Sequence, residues 1–388
     1  MNKDFTFQNP TRIHFGRSAM SHLSEELRLY GDNVLLVYGR NAIKQNGIYD
    51  QVMQALTVAG KRVVELSGVK SNPTYAKVLE GCSLVREHDI DLILAVGGGS
   101  VIDCCKSISA GAYCPIDPWE YYWERHQPLV EHVVPLGVVL TMSGTASEMN
   151  SGSVITNEEK KIKAGYHFPM DKLCPKFSIL NPEFTYSVSR YQMVSGIFDV
   201  FSHLMEQYFG GDDDCVSDYL LEGDMLALIS AARAALKDPY DYEARSNIMW
   251  AATMGLNKIL AVSKQEDWEV HQIEHQLGAY TDCAHGVGLA IVSIPYYKHI
   301  YPYGLHRFVR FAKHIWQVNP EGKSDEQVAL EGIEALSGFI RELGIPQRLR
   351  EVGATEEMLP LIAESANKIG GYHVPDTAEV LEILRECF

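Results

Sequence analysis

Asp91-Leu92-Ile93-Leu94-Ala95-Val96-Gly97-Gly98-Gly99-Ser100-Val101-Ile102-Asp103 decides the fold. A short apolar run, the length of a buried strand, passes straight into three glycines and then into a segment that opens a helix. Strand, tight turn and helix form the repeating unit of a parallel sheet with crossover helices. Three glycines also let backbone N–H groups approach a diphosphate, and the new helix N-terminus adds a favourable dipole. The same residues read equally as a plain strand-to-helix turn, because the G-x-G-x-x-G dinucleotide fingerprint is absent.

The rhythm continues on both sides. Thr11–Phe15 reads as an edge strand, and Asn33–Tyr38 as a buried strand followed by Gly39 and a helix over 47–59. Arg62–Leu66 is the next strand, 73–88 the next helix, and Leu136–Thr141 and Phe177–Leu180 are further strands. After Leu136–Thr141 comes a second polar loop, Thr141-Met142-Ser143-Gly144-Thr145-Ala146-Ser147-Glu148. Its hydroxyls suit either a phosphate or nicotinamide contact or the capping of a helix. Two such loops at strand ends, where open α/β sheets bind ligands, favour a nucleotide.

Beyond Asn181-Pro182 the pattern turns helical. A helix over 189–208 stops at Gly210-Gly211, one over 325–342 starts from Ser324 as N-cap, and another covers 377–385. The expected domains are therefore 1–184, α/β and dinucleotide-binding, and 185–388, all-helical and metal-binding.

Composition narrows the function classes. At 46% hydrophobic and 22% charged the 388-residue chain is an ordinary globular protein, and a net charge of −16 opposes nucleic-acid binding. No apolar run approaches the ~20 residues of a membrane span. The opening MNKDFTFQNPTRIHFG lacks the basic start and apolar core of a secretory signal, so a cytoplasmic location is expected. The eight cysteines show no regular spacing and no Cys-x-x-Cys pair, as expected of reduced structural thiols.

The helical half carries three histidine-containing pieces. Asp199-Val200-Phe201-Ser202-His203 places a carboxylate and an imidazole one turn apart, roughly 6 Å at Cβ. His271 and His275, in Trp268-Glu269-Val270-His271-Gln272-Ile273-Glu274-His275, repeat that spacing, and Asp282-Cys283-Ala284-His285-Gly286 adds another imidazole. Any one of these is more often a local hydrogen-bonded pair than a metal site. Three in an apolar helical domain point to a divalent ion, with N/O ligands that suit Fe(II) or Zn(II) alike. Gln272, where His-Glu-x-x-His requires Glu, argues against a zinc protease.

Taken in order, Gly-Gly-Gly-Ser-x-x-Asp at 97–103, Thr-x-Ser-Gly-Thr-x-Ser-Glu at 141–148, Asp-x-x-x-His at 199–203 and Trp-x-x-His-x-x-x-His…His-Gly at 268–286 resemble the iron-containing (group III) alcohol dehydrogenases. Within them, the likeness is to the butanol dehydrogenase and aldehyde reductase branch. The resemblance implies a dehydroquinate-synthase-like fold, with a Rossmann-like N-terminal domain, an all-α metal domain and the site in the cleft between them. It implies metal ligands Asp199, His203, His271 and His285, with iron(II) ahead of zinc(II), and His275 as a proton-relay residue. The nucleotide contacts it implies draw on Asn72, Gly97, Gly98, Gly99, Ser100, Asp103, Thr141, Ser143, Thr145 and one lysine. That lysine is Lys163, with Lys160 and Lys161 as neighbours in competition. A homodimer acting on a small primary alcohol or aldehyde is also implied, with a polyol dehydrogenase or a metal-dependent lyase on the same fold as rivals. Trp268, Phe198 and Met149 are expected near the substrate.

Cofactor preference has a local signal. Dinucleotide binders that favour NAD carry an acid just after an early strand. Here Tyr38-Gly39-Arg40-Asn41-Ala42-Ile43-Lys44 has none. Gly39 leaves room for a 2′-phosphate and Arg40 or Lys44 is placed to pair with it, which predicts NADP(H) over NAD(H).

Overall fold

Strands β1 (Arg12–Phe15), β2 (Asn33–Tyr38), β3 (Arg62–Leu66), β4 (Leu92–Gly97), β5 (Leu136–Leu140) and β8 (Phe177–Leu180) form one six-stranded sheet in the order β1-β8-β5-β4-β2-β3. Every pairing in it is parallel. The computed structural model describes residues 4–212 and 215–388. Burial on both faces explains the unbroken apolar runs, because alternate side chains of one strand enter opposite cores. Leu35, Val37, Ile93, Ala95 and Val138 pack with the helices Tyr75–Glu87 and Gly99–Gly111. Val34, Leu36, Leu92, Leu94 and Val139 pack with Val52 and Leu56 of the helix Ile48–Val58. The result is a Rossmann-like three-layer arrangement with β1 at an edge, as its sequence suggested.

The two remaining strands were not anticipated from sequence. β6 (Gly152–Asn157) and β7 (Ile162–His167) make an antiparallel hairpin in which Thr156 faces Lys163. Its short segments mix polar and apolar residues, which gives neither a buried run nor a clean alternation. Lys161 completes the turn at a left-handed φ of 53°.

Contact between residues divides the chain into two compact units. One comprises Gln8–Ser189 and Pro239–Thr253. The late segment belongs there because Met249 lies in the α/β core and Thr253 Oγ1 donates to Glu148 Oε1 at 2.6 Å. The other contains Arg190–Asp238 and Met254–Phe388, and its described residues form helices and loops alone. At its centre the helix Arg190–Tyr208 is buried on nearly every side from Met193 onward. The helix Asp325–Leu343 starts from Ser324 in a capping box and ends on Gly344 at φ 77°. The helix Arg190–Tyr208 ends just before Gly210-Gly211, as the sequence suggested, and packing also requires Gly210: a Cβ there would fall 2.0 Å from the Gln265 carbonyl oxygen. None of the eight cysteines, all among the described residues, is in a disulfide, and burial pushes the Cys82 thiol up to about 12.

Candidate functional site

In the helical unit, Asp199 and His203 leave the same face of the helix Arg190–Tyr208. His203 Nε2 lies 3.4 Å from Asp199 Oδ1. His285 Nε2, from the first residue of the helix His285–Ile300, is 3.6 Å from that oxygen, and His271 Nε2, from the helix Glu269–Thr281, is 3.9 Å from it. Tetrahedral donors ~2.1 Å from an ion stand about 3.4 Å apart. Asp199, His271 and His285, whose donor atoms lie within 4.8 Å of one another, suit one divalent cation, and His203 reaches the same carboxylate oxygen from outside that group. His271 Nε2 is buried with no hydrogen-bond partner among the described residues, a costly position for an imidazole nitrogen unless something else satisfies it. The donor set therefore fits a metal ion.

Close backbone packing brings His285 to this point. A Cβ on Gly286 would fall 1.9 Å from the Ser195 carbonyl oxygen, and one on Gly288 would fall 2.8 Å from Glu274 Cγ. Only glycine lets the helix after His285 lie this close to the helix carrying Asp199.

Two carboxylates complete the arrangement. Glu206 Oε2 takes His271 Nδ1 and Glu274 Oε2 takes His285 Nδ1. A proton donated from Nδ1 to a carboxylate leaves Nε2 with its lone pair facing Asp199, the tautomer a ligand needs. Sequence reading passed over both roles. Glu206 stands seven residues after Asp199, two turns along the same helix face, and Glu274 stands three after His271; that spacing was the available signal. Burial opposes charging of His203 and of His271. His203 is driven well below the ordinary imidazole range by burial and then by the neighbouring imidazoles. At His271 the Glu206 carboxylate outweighs burial and raises the imidazole.

Around this cluster, Trp268 adopts a left-handed φ of 74° and sets its indole edge-on to His271 at 5.2 Å between centroids. A bulky residue in that backbone region stores strain, which is common at functional sites. His275 is buried one turn beyond His271, with its ring 5.6 Å from that of His285. It groups with Glu274 and His285, not with Asp199. Phe198, expected near the substrate, is fully buried and packs on Phe201.

In the α/β unit, Gly97-Gly98-Gly99 joins β4 to the helix Gly99–Gly111, and Thr141 N donates to Gly97 O at 3.0 Å, so the two polar loops lie side by side. None of the three glycines has a positive φ; packing requires them instead. A Cβ on Gly99 would fall 2.3 Å from Thr145 Oγ1, and one on Gly97 2.5 Å from Val101 Cγ2. Ser143 Oγ is buried without a hydrogen-bond partner among the described residues, and Ala146 turns the loop at φ 50°.

Asp103 uses both carboxylate oxygens on protein donors, Ser147 Oγ at 2.5 Å and Val154 N at 2.9 Å. It ties the glycine-loop helix to the second loop and to β6. Lys106, one turn on and fully buried, donates to Ser147 Oγ, Asn150 Oδ1 and Gly152 O at 2.7, 2.9 and 2.9 Å, while burial lowers it to about 8. Sequence reading did not single out Lys106. Ser100 Oγ donates to Ser71 O, beside buried Asn72. Thr156 N donates to Pro73 O at 2.9 Å, which sets the β6–β7 hairpin against the 72–74 turn and brings Lys163 near it. Of the three competing lysines, Lys163 is buried, Lys160 is exposed and pairs with Glu124, and Lys161 is exposed in the turn.

After β2, Arg40 is exposed. Lys44 lies 4.5 Å from the Tyr49 ring centre and 3.9 Å from Glu65, a carboxylate that also accepts from the Tyr38 and Tyr49 hydroxyls at 2.6 and 2.9 Å.

Comparison with known proteins agrees along the whole chain. Residues 10–182 match the iron-containing alcohol dehydrogenase family, and residues 193–388 match the C-terminal part of the Fe-containing alcohol dehydrogenase family. A probable NADH-dependent butanol dehydrogenase 1 of Bacillus subtilis (strain 168) is 41% identical over 99% of both chains. The NADPH-dependent aldehyde reductase YqhD of Escherichia coli (strain K12) is 33% identical over 99% of this chain and 98% of its own. The crystal structure of an NADH-dependent butanol dehydrogenase A from Thermotoga maritima superposes with a TM-score of 0.94 at 37% identity, covering 99% of this chain and 98% of that one. The chain is an oxidoreductase that belongs to the iron-containing alcohol dehydrogenase family.

Proposed function

We propose that the chain moves a hydride between NAD(P)(H), with NADP(H) preferred, and a small primary alcohol or aldehyde. The divalent ion, iron(II) ahead of zinc(II), is held by Asp199, His203, His271 and His285. One observation carries this reading: three imidazole Nε2 atoms stand 3.4–3.9 Å from a single Asp199 oxygen. When bound, the ion supplies polarisation of a substrate oxygen, and the cofactor supplies or accepts the hydride. Glu206 and Glu274 hold His271 and His285 in the donor tautomer, so the ligand atoms are preorganised. His275, buried beside the cluster, is placed to pass the substrate proton towards solvent.

For the nucleotide, the N-terminus of the helix Gly99–Gly111 and the Ser143 hydroxyl offer donors to phosphate or nicotinamide. Asp103 supports them indirectly by fixing the second loop, and Asn72 and Lys163 flank it across the 72–74 turn. The NADP(H) preference rests on Arg40. Lys44, though exposed, is engaged by Glu65, a carboxylate that also accepts from two tyrosines, which leaves Arg40 as the exposed cation after β2 that no such pair occupies. The relatives carry both NADH and NADPH in their names, so the preference needs its own measurement.

The test is a panel of small aldehydes assayed with NADPH and with NADH, with glycerol oxidation as control. The reading expects aldehyde reduction with a higher kcat/KM for NADPH. Turnover confined to glycerol, or to neither cofactor, would overturn it, and equal or better use of NADH would remove the preference alone.

A further inference from the structure

At the far end of the helix that begins with His285, three side chains meet that the proposed chemistry does not use. His299 lies near the C-terminus of the helix His285–Ile300, His373 in the loop before the last helix, and Glu379 in the first turn of Thr377–Glu386. Glu379 Oε1 is 2.8 Å from His373 Nε2 and 3.1 Å from His299 Nε2. His299 stands fourteen residues along from His285, ~21 Å at a helical rise of 1.5 Å, so this cluster is separate from the one at Asp199.

Each of the three is held in place. The second oxygen of Glu379, Oε2, accepts the Asp376 backbone N–H at 2.7 Å in a capping box, so Oε1 is presented to the histidines. The His373 ring lies flat on Tyr303, with 4.3 Å between centroids and 4° between planes. Glu379 is held ionised down to about 2, first by the Asp376 N–H bond and also by the two histidines. The side chains of His373, His299 and Glu379 remain 22%, 25% and 27% exposed, which leaves a path for an ion and for a water in its remaining position.

We propose that His299, His373 and Glu379 form a second divalent-cation site for zinc(II) or a similar borderline ion, clipping the loop at His373 and the last helix to the helix His285–Ile300. Two imidazoles and one carboxylate are the ligand set such ions take, with water completing a tetrahedron. Donor edges of 2.8–3.1 Å need only a few tenths of an ångström of opening to reach the about 3.4 Å of a tetrahedral ion. Binding to the folded chain alone would raise its stability.

The probe is zinc. Wild type, His373→Ala and Glu379→Gln are loaded with excess zinc sulfate, desalted and analysed for metal per chain, and Tm is followed during zinc titration. Gln at 379 retains the oxygen that caps the helix, so this variant keeps the fold while losing the carboxylate charge. Wild type should hold about one zinc per chain more than His373→Ala, and Glu379→Gln should bind that ion roughly tenfold or more weakly. The zinc-dependent rise in Tm should be smaller in His373→Ala than in wild type, the remainder coming from the Asp199 site, which this variant leaves intact. Equal zinc content in wild type and His373→Ala, or a Glu379→Gln titration that overlays wild type, would overturn the proposal.

Discussion

Around Asp199 the working groups are side chains on long helices; around Gly98 they are strand ends, backbone and small hydroxyl residues. In the first region each imidazole that faces the shared carboxylate comes from a helix, and two have their other nitrogen fixed by a buried glutamate. In the second the shape comes from close approach: Gly99 against Thr145, Thr141 against Gly97, and a buried lysine tying Ser147, Asn150 and Gly152 together. A site of rigid side chains suits an ion that tolerates little error in ligand geometry. One of backbone donors suits a long flexible ligand held at many weak points.

Gly286→Ala should produce the largest difference between the two. Its Cβ would meet backbone at 1.9 Å, an obstacle that no rotamer change relieves. The expected result is loss of metal together with a stability loss of about 3 kcal/mol or more, measured by metal analysis and denaturant unfolding. Gly99→Ala meets the end of a threonine side chain instead, at 2.3 Å from Thr145 Oγ1. It should cost about 1–3 kcal/mol and weaken cofactor binding while leaving the metal content intact, and loss of metal from this variant would break the separation of the two regions.

Glu206→Gln comes next. It keeps the shape but removes the charge that orients His271, and metal affinity should fall about 10–100-fold by competition with a chelator, with cofactor affinity unchanged. Arg40→Ala works in the other direction: kcat/KM for NADPH should fall about tenfold, that for NADH should stay level, and metal content should not move.

The smallest effect belongs to a group outside both regions. Asp224 on the helix Val216–Lys237 is raised to about 7 by burial, and its Oδ2 has no hydrogen-bond partner among the described residues. A carboxyl raised in the folded state contributes its full stability below its unfolded pKa and loses it as pH climbs through the folded value. Stability should therefore decline between about pH 4 and 7. Asp224→Asn should remove its share of that decline and add about 1–2 kcal/mol at pH 8, read from urea unfolding of variant and wild type at both ends of the range.

What could be read beforehand follows the same division. The parallel strands announced themselves because burial on both faces demands runs such as Leu92–Val96. The Asp199-x-x-x-His203 and His271-x-x-x-His275 spacings are visible because a helix turns a fixed interval into a shared face. The spacing could not tell which histidine faces Asp199, since that depends on how three helices pack. Glu206 and Glu274 looked like ordinary helix residues because their partners lie 65 and 11 residues away. The β6–β7 hairpin and Lys106 escaped for a related reason: a short mixed strand and a buried lysine take their meaning from loops distant in sequence. Phe198 is expected near the substrate, whereas it fills the core beside Phe201, a burial that depends on helix packing and not on local sequence.

Metal analysis of His271→Ala beside His275→Ala, with turnover measured on the same preparations, tests the central claim most directly. The account predicts that His271→Ala loses the ion and its activity together. His275→Ala should retain the ion, turning over more slowly with a displaced pH profile. A metal-replete, fully active His271→Ala, or a His275→Ala stripped of its ion, would contradict it.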